Sequence, residues 1–216
     1  MIRIAVLVSG GGTNLQALID YEKAGNNPHG KISLVLASNS KAYALERAHQ
    51  ADIPTAVVRR KDYESQEAFD HAVTVTLQEN RIDLVILAGF LSILGPEVIQ
   101  AYPERIINIH PSLIPSFCGK GCYGLKVHEM ALERGVKVTG ATVHFVDSGT
   151  DTGPILLQKA VEVLPDDTPS VLQKRVMEEA EWKLLPEAIA LIAADKVAVE
   201  GGRAVILTDR EMRQRP

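Results

Sequence analysis

An amide and an imidazole stand two residues apart at the end of one apolar segment, Ile106-Ile107-Asn108-Ile109-His110. Side chains of a β-strand alternate between its faces, so Asn108 and His110 are predicted to point the same way. Asn108 offers an N–H donor, and an ordinary imidazole titrates at a pH of about 6.5. The pair could stabilise a carbonyl carbon as it becomes tetrahedral, although such a pair is also typical of a solvated strand surface.

The residues after His110 favour a position at the end of a strand. Pro111 and Pro115 each fix their own φ and bias the preceding residue toward extended geometry, so they stiffen the exit from the strand. In open α/β sheets, ligands bind beyond the carboxyl ends of the strands. The sequence therefore predicts that Asn108 and His110 lie at a ligand-binding edge.

A second candidate site is the glycine-rich turn Ser9-Gly10-Gly11-Gly12-Thr13-Asn14, which follows a short apolar strand. Glycines let the backbone approach a ligand, Thr13 or Asn14 is expected to cap a helix there, and a helix amino terminus attracts anions. A triphosphate-binding loop would end in Gly-Lys-Ser/Thr, and this turn does not. Leu15 stands where a dinucleotide fingerprint would have its third small residue. A single phosphate fits best, and a glycine turn without a ligand is the alternative.

Two further groups remain ambiguous from their residue types. Cys118 and Cys122 are the only cysteines, and we predict free thiols because a structural zinc ion needs four ligands and no matching Cys/His pair exists. Leu91-Ser92-Ile93-Leu94 follows a buried strand pattern. It could belong to the core or line a pocket for a flat ligand, and its residues alone favour the core.

Composition narrows the possible functions. The 216 residues are 46% hydrophobic and 23% charged, which is ordinary for a soluble globular protein. A net charge of −4 without a basic stripe argues against a nucleic-acid partner. The sequence has no apolar run of membrane-spanning length and no signal-peptide pattern, so we expect a cytoplasmic protein with no membrane partner.

Strand and helix patterns alternate along the chain, which predicts an α/β fold with a single-domain, doubly wound, mostly parallel sheet. A turn-rich loop over 147–154 connects two strands that should pair antiparallel, which would hold Asp151 near one end of the sheet. Glu178, Glu179 and Glu181 are predicted to form a solvated helical face. The predicted strands cover residues 2–8, 32–36, 55–58, 83–87, 106–110, 136–146, 155–163 and 204–207. One predicted helix begins near Thr13, and the others cover 42–50, 63–79, 126–134 and 170–194, the last one broken or bent at Pro186.

Four segments together resemble the phosphoribosylglycinamide formyltransferase family. They are Ser9 to Leu15, Ala88-Gly89-Phe90, Asn108 to Pro115 and Asp151-Thr152-Gly153-Pro154, in the family's order and spacing. The resemblance implies a Rossmann-like formyltransferase domain over 1–216, with a phosphate-binding half at about 1–100, a catalytic and folate half at about 101–200, and a short carboxy-terminal tail. The charged residues at the end of that tail are expected to fray. It also implies formyl transfer from 10-formyltetrahydrofolate, a co-substrate, to the amine of glycinamide ribonucleotide in purine synthesis, without a metal.

The resemblance also implies residue roles. His110 would be the general acid, Asn108 would steady the oxyanion and contact the folate, and Asp151 would orient the imidazole and raise its pKa, with His144 as a neighbour. The remaining assignments are the phosphate-binding residues Gly12, Thr13 and Asn14, the substrate-binding carboxylate Glu181, and the folate-lining residues Leu91, Ser92, Ile93 and Leu94, with Gln66 where some relatives carry a basic residue.

Other functions stay open at this point. A formyltetrahydrofolate deformylase would use the same three residues to direct water at the formyl carbon, but usually carries an extra amino-terminal domain. A methionyl-tRNA formyltransferase would need a nucleic-acid-binding domain. A non-catalytic sugar-phosphate sensor would leave Asn108, His110 and Asp151 without a role. Whether the protein is a monomer or a homodimer is not encoded in these patterns.

Overall fold

The apolar runs of the sequence pair into one mostly parallel, seven-stranded sheet in the order β3-β2-β1-β4-β5-β6-β7. The structure is a computed structural model, and it describes residues 1–212. Two further strands, β8 and β9, form a separate antiparallel pair. The strands are β1 Ile2–Val8, β2 Gly30–Ala37, β3 Thr55–Val57, β4 Leu84–Leu87, β5 Ile106–His110, β6 Val138–Phe145, β7 Ile155–Glu162, β8 Val197–Glu200 and β9 Arg203–Ile206.

Helices separate most of the strands, as the predicted α/β alternation requires. A 3₁₀ turn, Arg60–Asp62, precedes the third helix, and a π-helical turn, Met177–Glu181, separates the sixth helix from the seventh. The helices are α1 Thr13–Lys23, α2 Tyr43–Gln50, α3 Gln66–Glu79, α4 Pro96–Ala101, α5 Leu125–Arg134, α6 Pro169–Val176, α7 Trp182–Ala193 and α8 Asp209–Met212.

Residue contacts divide the chain into two compact units, Met1–Asn108 and the part that begins at Ile109. In the first unit, β1 pairs in parallel with both β2 and β4, and β4 pairs in parallel with β5. Both faces of these strands are covered, so β1 and β4 are nearly continuous runs of buried apolar residues. In the second unit, β6 and β7 pair antiparallel, as predicted. The α/β fold with a mostly parallel sheet is confirmed, whereas the single domain stays a prediction.

The largest difference from the predicted elements lies in the long helix over 170–194. The helix is interrupted at Met177–Glu181, and Pro186 lies within α7 rather than at the break. A π-helical turn contains one extra residue, so it shifts the buried stripe of the helix by one position. Glu181 is therefore buried, with 6% of its surface exposed, and its prediction as a solvated residue is wrong.

Several boundaries also differ from the prediction. The helix α3 begins at Gln66 rather than near residue 63, because the Ser65 hydroxyl accepts the Ala68 N–H and caps it. The predicted strand near the carboxyl terminus has a partner, β8, which the sequence did not reveal, and α4 was not predicted. The predicted frayed tail includes residues 213–216, which lie outside the described part of the chain.

Candidate active site

Two imidazoles flank one carboxylate in the second unit. His110 Nδ1 lies 3.7 Å from one oxygen of Asp151, and His144 Nε2 lies 3.6 Å from the other. Both distances exceed that of a direct hydrogen bond. The side chains are largely buried, with 5%, 12% and 3% of the surfaces of His110, Asp151 and His144 exposed. The structure thus brings together the predicted histidine and aspartate, and it places His144 beside them, as the resemblance implied.

The outer nitrogen of each imidazole contacts a backbone carbonyl. His110 Nε2 lies 2.9 Å from the carbonyl oxygen of Phe117, and His144 Nδ1 lies 2.8 Å from that of Phe145. A carbonyl oxygen only accepts hydrogen bonds, so both outer nitrogens carry a hydrogen. When the rings are neutral, their inner nitrogens therefore direct lone pairs toward Asp151. A proton on either inner nitrogen would create a charge-assisted contact, so the cluster is suited to hold one more proton.

Burial dominates the titration of His110. It lowers the pKa of His110 below the ordinary value, and the positive charge of His144 acts in the same direction. The Phe117 carbonyl and the negative charge of Asp151 raise this pKa but do not offset burial. Asp151 thus raises the pKa of His110, as expected, although burial makes the net shift downward.

Asp151 remains ionised more readily than an ordinary aspartate. Burial raises its pKa, but the interaction with His144, the hydrogen bond from the Gly119 N–H and the charge of His110 together lower it further. The net direction is downward. A buried carboxylate in this state supplies a fixed negative charge beside the His110 imidazole.

The loop between β6 and β7 holds Asp151 in place through its local geometry. Asp151 adopts a left-handed backbone conformation with φ of 58°, which is uncommon for a residue other than glycine. The Asp147 carboxylate accepts the Thr152 hydroxyl at 2.6 Å and ties the loop together. A Cβ on Gly153 would lie 2.0 Å from the Phe145 carbonyl oxygen, so this position requires glycine for close packing. The turn-rich composition over 147–154 encodes these contacts.

The segment after the prolines contributes two backbone groups that sequence reasoning missed. The Phe117 carbonyl meets His110, and the Gly119 N–H donates to Asp151 at 2.8 Å. Backbone contacts of this kind leave no residue-type signature, apart from the glycine at 119 with φ of +89°. Cys118 lies between them, and Cys118 and Cys122 are free thiols, as predicted.

The remaining second-unit candidate, Glu181, lies on the π-helical turn. Asn108 ends the first unit, half-buried on β5 two residues before His110. Neither position by itself establishes the predicted role, so the oxyanion contact of Asn108 and the substrate contact of Glu181 stay predictions. Isolated π-helical turns occur frequently at functional sites, which is the structural reason to retain Glu181 as a candidate.

The glycine turn forms the amino-terminal end of α1 in the first unit. Gly12 has φ of +70° and is the residue before the helix, while Thr13 and Asn14 lie in the first turn. The capping position before α1 is occupied by Gly12, and not by Thr13 or Asn14 as predicted. A Cβ on Gly12 would lie 2.6 Å from the Cβ of Ala44, which explains the need for glycine there. The amino-terminal end of α1 is the kind of position that attracts an anion.

The segment Leu91–Leu94 is mostly on the surface of the first unit. Leu91 and Ile93 are 64% and 78% exposed, whereas Leu94 is buried. The interpretation of this segment as core, which its residues alone favoured, is therefore wrong for Leu91 and Ile93. Gln66 donates through Nε2 to the Ile93 carbonyl at 3.0 Å, so the two predicted folate-binding elements are in direct contact.

Comparison with known proteins identifies the family. The model of the formyl transferase family matches residues 2–189. The chain belongs to the formyl transferase family. All of the candidate site residues of this formyl transferase fall within the matched region.

Individual relatives agree with the family. The chain is 38% identical over 206 residues to the phosphoribosylglycinamide formyltransferase of Haemophilus influenzae, covering 95% of the chain and 94% of that protein. It is 44% identical over 202 residues, 93% of its length, to the human trifunctional purine biosynthetic protein adenosine-3. It spans only 19% of that protein, and between 14% and 20% of the first trifunctional relatives that it matches.

Solved structures give the same result. The glycinamide ribonucleotide transformylase 1 of Symbiobacterium toebii is 46% identical, with a TM-score of 0.90 and coverage of 96% of this chain and 95% of that one. A more distant neighbour is a formyltetrahydrofolate deformylase of Pseudomonas syringae, 26% identical with a TM-score of 0.85, in which 96% of this chain matches 66% of that one. The predicted resemblance to phosphoribosylglycinamide formyltransferases is confirmed.

Two general properties of the formyl transferase complete the description. Across residues 1–212, no group of three or more His, Cys, Asp or Glu side chains is arranged to hold a metal ion. Within the same residues, no helix is both long and apolar enough to cross a membrane. The metal-free reaction stays a prediction.

Proposed function

We propose that this formyl transferase moves the formyl group of 10-formyltetrahydrofolate to the amine of glycinamide ribonucleotide, a step of purine synthesis. The relatives named phosphoribosylglycinamide formyltransferase support the proposal, because they match the chain over nearly its full length. The observation that carries the proposed chemistry is the buried His110 beside the ionised Asp151, at the end of a strand that also bears Asn108.

The proposed reaction begins when the amine nitrogen attacks the formyl carbon. The formyl oxygen gains negative charge, which the Asn108 amide and the protonated His110 stabilise by donating hydrogen bonds. The bond from the formyl carbon to the folate nitrogen then breaks. That nitrogen gains a proton while the amine loses one, so a group that titrates near neutrality is required.

Within this proposal, Asp151 and Phe117 both raise the pKa of His110, but the Phe117 carbonyl also occupies its Nε2 hydrogen. The Asp151 charge favours the imidazolium that the oxyanion needs. The Phe117 carbonyl accepts the Nε2 hydrogen, so His110 can donate from Nε2 to the formyl oxygen only after this contact is released. Movement of the segment that begins at Phe117 is therefore part of the proposed cycle.

The substrate assignments follow the resemblance. Gly12, Thr13 and Asn14 would bind the ribonucleotide phosphate at the amino-terminal end of α1, and Glu181 would bind another part of the same substrate. Leu91 to Leu94, with Gln66 and Asn108, would contact the folate; the exposure of Leu91 and Ile93 supports this assignment. We further propose a metal-free, cytoplasmic enzyme, monomeric or homodimeric, whose partners are small molecules. The net charge of −4 argues against a nucleic-acid partner.

A formyl-transfer assay with and without glycinamide ribonucleotide tests the proposal. We expect consumption of 10-formyltetrahydrofolate only when the ribonucleotide is present, with the formyl group recovered on its amine. A His110→Ala variant should be inactive, whereas His71→Ala, which removes an exposed histidine paired with Glu97, should retain activity. Release of formate without the ribonucleotide would instead indicate a deformylase, and binding without turnover would indicate a sensor.

A further inference from the structure

A buried carboxylate in α3 contacts the segment assigned to the folate. Asp70 has 1% of its surface exposed. Its Oδ1 accepts the backbone N–H of Gly95 at 3.0 Å and the side-chain Nε2 of Gln66 at 2.7 Å. Burial of a carboxylate is costly unless hydrogen bonds compensate for lost water, so these donors are essential to its position.

Gly95 is shaped around this carboxylate. A Cβ at position 95 would lie 1.9 Å from Asp70 Oδ2 and 2.9 Å from its Cγ. The φ of Gly95 is −92°, which any residue can adopt, so glycine is required here for space rather than for backbone conformation. Gly95 also precedes α4, which begins with Pro96, so its position fixes where that helix starts.

Three backbone groups between residues 91 and 95 are held by side chains from elsewhere in the first unit. The Leu91 N–H donates to the Ser9 hydroxyl at 2.8 Å, the Ile93 carbonyl accepts Gln66 Nε2 at 3.0 Å, and the Gly95 N–H donates to Asp70. Gln66 itself is oriented by Asp70, because the same Nε2 donates to both acceptors. Asp70 therefore controls two of the three contacts.

The contacts explain how apolar side chains remain exposed on this segment. Leu91 and Ile93 would lower their free energy by folding back against the protein, since burial of apolar surface is favourable. The fixed backbone prevents this and keeps them available to a flat apolar ligand. A segment ordered before binding loses less conformational entropy when the ligand arrives.

We propose that Asp70 is a positioning residue for the folate co-substrate: it holds the segment 91–95 in the binding conformation through Gly95 and Gln66. The inference rests on the proposed function, since it takes the folate as the ligand of this segment. Asp70 touches neither substrate in this account, and it acts on folate affinity rather than on the formyl-transfer chemistry.

The test compares steady-state kinetics of Asp70→Ala and Gly95→Ala with the parent enzyme. Asp70→Ala removes the acceptor, and Gly95→Ala displaces the carboxylate while leaving it in the protein. We expect both variants to raise the KM for 10-formyltetrahydrofolate by roughly 10- to 100-fold, the range for loss of hydrogen bonds to a charged acceptor. The KM for glycinamide ribonucleotide and kcat at saturation should change by less than about threefold.

Thr74→Val is the matched control. Thr74 is also buried, lies one turn after Asp70 on α3, and has a hydroxyl without a hydrogen-bond partner, so its replacement perturbs the same helix without removing a hydrogen bond to the segment. It should leave both KM values unchanged. If Asp70→Ala does not fold, the folate KM values of Asp70→Asn and Gly95→Ala test the proposal instead. In Asp70→Asn the side chain retains an oxygen but loses the charge, so we expect a smaller rise in the folate KM than in Asp70→Ala.

Amide hydrogen exchange separates this proposal from the proposed function. In the ligand-free protein, Asp70→Asn should speed exchange at Gly95, whose N–H donates to Asp70, by at least tenfold, and Thr74→Val should not. Unchanged exchange, an unchanged folate KM, or an equal rise in both KM values would overturn the positioning role. A parent enzyme that binds no folate, yet shows the expected exchange, would refute the proposed function and leave the role of Asp70 in ordering the segment intact.

Discussion

Replacement of Gly12 by alanine tests whether the glycine turn binds the ribonucleotide phosphate. The change adds one methyl group to a residue with φ of +70°. That methyl group would lie 2.6 Å from the Cβ of Ala44 and 2.9 Å from its Cα, both well inside normal contact. The turn or α2 must therefore move, and the N–H groups at the start of α1 move with it.

Two costs set the size of the effect. A left-handed conformation costs an alanine roughly 1–2 kcal/mol relative to a right-handed one. An added methyl group without space in a packed region costs roughly 1–3 kcal/mol more. The sum is at least about 2 kcal/mol, and relaxation of the turn relieves it by giving up the phosphate-binding geometry. Since about 1.4 kcal/mol corresponds to tenfold in affinity, the KM for glycinamide ribonucleotide should rise by roughly 30-fold or more.

The assay is steady-state formyl transfer with each substrate varied in turn. Gly10→Ala is the matched control, because a Cβ on Gly10 meets nothing within 4 Å and its φ is not positive. It should change the KM for the ribonucleotide by only a few-fold. In the double variant Gly12→Ala with Ala44→Gly, the 2.6 Å contact is absent, so part of the lost affinity should return, while the left-handed strain persists.

The folate serves as the internal reference for this prediction. The KM for 10-formyltetrahydrofolate should change by less than about threefold in the Gly12→Ala variant, since the altered contact lies between the glycine turn and α2. Equal increases in both KM values, or a ribonucleotide KM within a few-fold of the parent, would refute the phosphate assignment. No recovery by Ala44→Gly would show that the contact with the Ala44 Cβ is not the cause.

Three other perturbations address the second unit and Asn108. Asn108→Ala should lower kcat by roughly 10²- to 10³-fold with little change in either KM, as for one oxyanion donor, and near-normal turnover would make it structural. Asp151→Asn removes a charge that raises the pKa of His110, so the alkaline limb of the kcat profile, which reports loss of the acid form of His110, should move to lower pH and kcat at pH 7 should drop more than tenfold; an unchanged histidine NMR titration would contradict this. Burial, with a smaller effect of the His110 charge, lowers the pKa of His128 from 6.5 to about 4. As the pH falls, the unfolded chain therefore binds this proton before the folded protein does. The free energy of unfolding should then decrease between these two pH values, by about 3 kcal/mol in full. His128→Gln should flatten that part of the denaturant-derived stability curve, and an unaltered slope would exclude His128 as its source.

The regular part of the fold was predictable because it depends on local patterns. Continuous apolar runs such as β1 and β4 indicate strands covered on both faces, and their alternation with amphipathic segments fixes a mostly parallel sheet. The π-helical turn could not be read in this way. Its sequence, Met177–Glu181, has the composition of an ordinary solvated helix, and only the packing of the residues on either side shows that Glu181 points inward.

The candidate site shows the same division. His110 and Asp151 could be paired from the sequence because a strand end and a turn-rich loop were each recognisable. Their net titration could not be predicted, since it depends on how deeply the imidazole is buried and on a carbonyl at Phe117. Residue types carry no record of burial depth or of backbone groups from another loop.

Asp70 shows what the sequence leaves out most completely. In the sequence it is one acidic residue among the polar positions of α3, and nothing in its spacing separates it from a solvated one. In the structure it is buried, and a glycine 25 residues later leaves room for its carboxylate. Neither residue carries a recognisable motif, because their relation is a close approach between a side chain and a backbone rather than a periodic pattern. Residues with a reactive side chain, such as His110, could therefore be predicted from the sequence. Residues that position the substrate segments could be identified only from three-dimensional contacts.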